Sequence, residues 1–350
     1  MRRISRIFGL AATYIGTVIG AGFASGQEIQ VFFARYGLFG LPGLILAAII
    51  FAAAGERALR HGAAHGRDSY YQTLSAIAGP CAPFFDLIML FFLIVLGGVM
   101  LAGSGALAAA SGFPSWCGVA LTALLGLAVV GAEIPGLLAV NSIFVPCLLG
   151  TAAIIALRAP GGALPPAPGA AHLAWLPSAL LYASYNSVLS LPVLTALGAA
   201  QRDPRIIRLG GLCGALGLLI AGALILTTLL RHPVEAARTE VPMAAIASSL
   251  GGPFGRLYGA VLWGEMFTTL VADVYGAAAR LRQLLGGPRL FHAVLAMALG
   301  IALSGLGFAR LVRTAYPAFG LVCMAVLFRL FRPRRRHNLR PAGKRAPIHG

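Results

Sequence analysis

Two carboxyls and two hydroxyls, Glu265, Thr268, Thr269 and Asp273, lie close together within one apolar segment. A helix turns 100° per residue, so positions 265, 269 and 273 drift by only about 40° per step and form one stripe, with Thr268 beside it. In apolar surroundings a carboxyl can take up and release a proton, and charged residues within such segments face the bundle interior or a cavity. A second group, Gly20-Ala21-Gly22-Phe23-Ala24-Ser25-Gly26-Gln27-Glu28, falls where the apolar stretch 7–33 should be most uniform. Gly20, Gly22 and Gly26 each weaken a helix by about 1 kcal/mol relative to Ala, which predicts a discontinuous helix. Irregular backbone survives at membrane depth only where protein or a wet cavity surrounds it, and half-helix ends there can bind ions and carboxylates. A third group, Ser184-Tyr185-Asn186-Ser187 with Ser190 and Pro192, has two readings. It is either a second interruption that presents ligands, or a proline-kinked helix whose serines bond back to its own carbonyls.

These groups are set in a chain of 350 residues that is 59% hydrophobic and 11% charged, with mean hydropathy +0.86. That composition excludes an ordinary soluble domain. At about 20 apolar residues per crossing, the pattern predicts an all-α polytopic membrane protein of ten spans: 7–33, 38–59, 84–110, 116–130, 134–157, 176–197, 206–230, 257–281, 290–306 and 311–331. Counting from the span ends puts Gly20, Asn186 with Ser187, and Thr269 near mid-depth. The three polar places therefore share one level.

The net charge of +17 does not require nucleic acid: with the N-terminus inside, 20 of the 27 Lys and Arg fall on the cytoplasmic side. Both termini are then cytoplasmic. The halves, about 7–157 and 176–331, match in order, and five spans separate corresponding elements, so they form inverted repeats of a single membrane domain over 1–331. Spans one and six are the interrupted ones. Each half has a longer connection after its second span, with a short semi-apolar stretch, 70–77 or 241–250, expected at the surface. The segment 160–169 links the repeats, and 332–350 is a basic, disordered tail suited to anionic lipid. Met1-Arg2-Arg3 and the apolar run after it imitate a signal peptide, but apolar character resumes at Ile29, as in the second half of a broken span. The five cysteines have no paired spacing, so neither disulfides nor a metal site is expected. The absence of a nucleophile and base pair makes an enzyme unexpected, and no cofactor is called for beyond a coupling ion.

The stretch Thr17-Val18-Ile19-Gly20-Ala21-Gly22-Phe23-Ala24-Ser25-Gly26-Gln27-Glu28-Ile29 resembles the opening signature of YkvI-like bacterial membrane proteins, relatives of the amino acid–polyamine–organocation transporter superfamily. The likeness continues through Leu181–Asn186 and Glu265–Thr269 and fades after Phe331. It implies a LeuT-type fold of two inverted five-helix repeats in the bacterial inner membrane. It also implies that Thr268 and Thr269, with carbonyls at the first-helix break near Gly20, ligate Na⁺, and that Gly20, Ala21 and Gly22 offer amides to a carboxylate. Ser25, Tyr185, Asn186 and Ser187 complete the expected substrate set. Glu28, Glu265 and Asp273 are the candidates for coupling or gating. Glu28 has Arg35 as an alternative partner, Asp273 has Arg280 or Arg282, Asp86 is expected in a salt bridge, and Asn141 is expected to bond between helices.

The expected function is a secondary transporter in the lipid bilayer, carrying an amino acid or related zwitterion by alternating access, with Na⁺ as coupling ion. The alternatives are H⁺ coupling through Glu265 and a non-transporting sensor or assembly protein on the same fold.

Overall fold

The computed structural model describes residues 2–65, 70–132, 137–159, 161–164, 173–201 and 203–331. The tail 332–350, most of the linker, Arg67, Arg202 and the side chain of Asn141 lie outside the described residues. The first span is broken twice. Helix α1 (Arg2–Val18) gives way at Ile19 and Gly20, a single turn α2 (Ala21–Ala24) follows, and Ser25 and Gly26 separate it from α3 (Gln27–Phe32). Gly20 is extended, at φ −116° and ψ −175°, whereas Gly26 is left-handed at φ 88°, a conformation that favours glycine.

The first half continues with α4 (Gly40–His65), α5 (Tyr70–Ala78), α6 (Ala82–Ala110), α7 (Ser115–Gly131) and α8 (Leu137–Arg158). The second runs α9 (Trp175–Ala199), α10 (Pro204–Arg231), α11 (Pro233–Arg238), α12 (Pro242–Ser249), α13 (Gly252–Leu285), α14 (Arg289–Ser304) and α15 (Phe308–Phe331). The element order repeats, with α5 in one half and α11–α12 in the other filling the longer connection. Five segments, Ala34–Ala64, Thr73–Ala110, Trp175–Ala199, Pro204–Arg231 and Phe308–Phe331, are long and apolar enough to cross a membrane. Helices α7 and α14 are shorter apolar helices, as expected for the fourth and ninth positions.

Two packed groups emerge. Helices α1, α4, α9 and α10 pack on one another, and α6, α7, α13 and α14 form the second set. Helix α8 touches α13 and α10, and α15 touches α9 and α6, so these two bridge the groups. Membrane helices gain little from water exclusion between them, and close backbone approach at small residues replaces it. Where α4 crosses α9, a Cβ on Gly62 would strike the backbone of Thr195, and one on Gly198 would strike the backbone of Leu59.

Two expectations are corrected here. The sixth span is not discontinuous: α9 is helical from Trp175 to Ala199, with Pro192 inside it. Several of its polar side chains close on its own backbone, with Ser190 donating to Ser187 O, Thr195 to Leu191 O and Asn186 to Tyr182 O. This local bonding is the kinked-helix alternative, in which a membrane helix tolerates proline. Nor does the stretch after α11 lie on the surface. Met243, Ile246 and Ala247 of α12 are fully buried, and the Met243 N–H donates to Ser25 O at 3.0 Å. Helix α12 is thus a wedge against the second break, satisfying a carbonyl that the break frees.

Candidate functional site

The two breaks in the first span hold α2 as a buried turn whose backbone is only partly satisfied within itself. Ser25 turns inward, its hydroxyl donating to Gly22 O at 2.9 Å and accepting from the Gln27 N–H at 3.3 Å. Gln27 reaches Thr239 O, at 3.1 Å. The Tyr258 hydroxyl of α13 donates to Ala24 O at 2.5 Å, which ties the second helix group to α2. Ala21 is fully buried, and Gly20 faces open space.

Glu28 is the centre of this arrangement. The sequence offered Arg35 as its partner, but Arg35 is bonded to the Tyr36 hydroxyl. Glu28 instead folds back over α2, where a Cβ on Gly22 would overlap its carboxyl, and accepts a hydrogen bond from the Tyr185 hydroxyl at 2.6 Å. Gly22 is therefore needed for space. Aromatic rings wall the carboxyl: Phe32 lies 5.7 Å from Tyr185 between ring centroids, Tyr182 5.6 Å and Tyr316 5.4 Å. The sequence reading missed Tyr182 and Tyr316. Tyr182 lies one helical turn before Tyr185 on the same face, which was a usable signal; Tyr316 stands before Pro317 in an otherwise ordinary span.

The remaining candidates divide. Asn186 and Ser187 are buried in α9, the former bonded to its own helix and the latter's hydroxyl without a partner. Thr268 donates to Glu265 O at 3.2 Å, and Thr269 is half-buried. Among the described residues no hydrogen bond joins either threonine to the first-span break. Glu265 is 1% exposed and its Oε1 has no partner. Asp273 is also buried, with Oδ2 unpartnered. It does not pair with Arg280, which binds Asp86 instead, with Nε at 2.7 Å, so Asp86 takes the expected salt bridge. Among the described residues no group of three His, Cys, Asp or Glu gathers as a metal site.

A separate cavity of about 850 Å³ lies between the end of α6, the start of α7 and the residues before α12, lined by Gly105, Trp116, Glu240, Val241 and Ile301 among others. It contains none of the candidate residues.

No family model matches the chain. Two proteins of Bacillus subtilis (strain 168) are similar along nearly all of it. The uncharacterized membrane protein YkvI is 29% identical over 338 residues, covering 93% of this chain and 96% of the relative. The uncharacterized protein YyaD is 24% identical over 328 residues, covering 89% and 92%. The inward-facing conformation of Mhp1 superimposes with a TM-score of 0.62 at 12% identity, over 92% of this chain and 75% of that one. The chain is thus similar to YkvI along nearly its whole length and shares the architecture of Mhp1, a LeuT-type fold. A manganese transporter of Eremococcus coleocola, in complex with an aromatic bis-isothiourea-substituted compound, shares the fold at a TM-score of 0.55 and 13% identity, over 93% and 76%. At these identities the solved structures establish the architecture alone.

Proposed function

We propose that this protein is a secondary active transporter for a small polar solute, an amino acid or related zwitterion, which binds at the doubly broken first span and moves with a cation. The observation that carries this reading is the position of the break. Its turn α2 packs on α13, to which Tyr258 ties it, while α3 packs on α9, α10 and α15, so the break stands between the two groups and their relative motion must remake the site. On α1, Gly9, Thr13, Gly16 and Thr17 follow helical spacing along one partly open side and lead towards the break at Gly20. A lane of small and hydroxyl residues suits a polar solute better than lipid tails.

Two cations are in play. The Na⁺ reading uses Thr268, Thr269 and carbonyls near Gly20, since Na⁺ takes oxygen ligands and helix C-termini carry partial negative charge. The proton reading is favoured by a specific feature: Glu28, Glu265 and Asp273 are all buried, and none forms an ion pair among the described residues. Uptake of labelled amino acids into proteoliposomes, with Na⁺ and H⁺ gradients imposed separately, tests both readings. Accumulation under either gradient supports transport and names the ion, whereas no accumulation or counterflow of any amino acid would remove the solute class proposed.

A further inference from the structure

Glu28 has the chemistry of a proton carrier rather than of a structural acid. The residue is 4% exposed, and among the described residues its carboxyl holds one hydrogen bond from a side chain, that of Tyr185. Among the described residues, the titratable groups that face it are all phenols: Tyr182 and Tyr185 from α9 and Tyr316 from α15, each within electrostatic reach. Helix α2 presents the backbone at Gly22. From α10 comes Leu229, packed on Gly26. An ionised carboxylate would keep one phenol bond and no counter-charge here, whereas the neutral acid fits such surroundings.

We propose that Glu28 is the proton-binding carboxyl of the protein and that Tyr185 positions it. The inference rests on the cation-coupled reading above and assigns its proton form to a residue other than Glu265. The breaks provide the access that a proton carrier needs. Gly26, left-handed and two residues before Glu28, is a joint at which α3 can turn, and α2 is one turn long. A change at either break moves the carboxyl away from Tyr185 and towards water, where it loses its proton. Tyr316 also lies in electrostatic reach of Asp273 on α13.

The test needs no known substrate. The full chain in liposomes of neutral and anionic phospholipid is titrated from alkaline to acid pH under infrared difference spectroscopy. A carbonyl band from a buried carboxylic acid should appear, vanish in Glu28→Gln and persist in Glu265→Gln. In Tyr185→Phe it should move to higher frequency and titrate over a different pH range, which loss of packing alone would not produce. Glutamate carrying heavy carbon at the side-chain carboxyl must shift the band in the wild-type chain, a check that survives any folding defect of the variants. A band unchanged in Glu28→Gln, or one insensitive to the glutamate label, overturns the assignment.

A second measurement keeps the site distinct from the transport reading. Proteoliposomes loaded with pyranine receive a mixture of the proteinogenic amino acids. Acidification in the wild type that Glu28→Gln abolishes supports both claims. Acidification equal in the two proteins overturns the role of Glu28 and leaves transport standing, whereas a Glu28 band with no acidification upholds the proton site and overturns proton-coupled amino acid uptake.

Discussion

Three glycines within seven residues meet three different demands. Gly20 is extended, a conformation open to any residue, and has empty space where a Cβ would stand. Gly22 is helical, and its missing side chain leaves room for the Glu28 carboxyl. Gly26 alone needs a left-handed backbone. Gly20→Ala should therefore be accepted, while Gly22→Ala should cost about 1–3 kcal/mol through overpacking and displace Glu28 from Tyr185. Thermal unfolding of the two purified proteins separates them: equal stability would mean that Glu28 does not rest on Gly22. The sequence marks the glycine cluster as a break but cannot rank its members, because the deciding neighbour of Gly22 is a side chain six residues on, brought back by the turn at Gly26. The partner of Glu28 was equally hidden. Tyr185 was a mid-depth candidate on its own account, and nothing local pairs it with a residue 157 positions away.

At the scale of elements, apolar runs and their charged ends located the helices well, since length and hydropathy are local properties. The state of α9 was not local. Its hydroxyls and amide could have faced a ligand or their own carbonyls, and for Ser184, Asn186, Ser190 and Thr195 the second outcome prevailed, with Ser184 also donating to Gly320 O of α15 at 2.6 Å. Helix α12 was misplaced for a related reason: a short apolar stretch reads as surface until the free carbonyl of Ser25, more than two hundred residues away in sequence, is known. Helix α10 begins with a capping device that can be tested. Asp203 accepts from the Arg205 N–H at 2.9 Å and is bonded to Arg3 at 2.7 Å. The Arg205 N–H first, and then Arg3, holds its carboxyl below the ordinary value of 3.8. A depressed value means that this contribution to stability is complete above the ordinary value and disappears as pH falls through the depressed one. Asp203→Ala should thus melt below the wild type at neutral pH, and the gap should close on acidification beneath that range. A gap that persists there would assign the effect to something other than the charge.

For the whole molecule, the decisive fact is how few polar ties, among the described residues, cross between the helix groups at the break. Tyr258 to Ala24 O is one, and it is a single removable hydroxyl. Tyr258→Phe keeps the ring and should cost about 1 kcal/mol of the closed arrangement on that side, equivalent to about a fivefold shift in population. A cysteine at Gln27 should then react correspondingly faster with an impermeant maleimide applied from the membrane face that carries α12. An unchanged labelling rate would show that other packing holds this side shut.

Helix α13 gives that tie a mechanical setting. It runs unbroken for 34 residues, and it carries Tyr258 near one end and Arg280, fastened to Asp86 of α6, near the other. The two residues are about 33 Å apart along the axis at 1.5 Å per residue. A tilt of such a rod by about 5° about Arg280 would carry the Tyr258 end through about 3 Å, as far as a hydrogen bond is long. A minor adjustment where the rod is anchored is thereby enough to unlatch its far end.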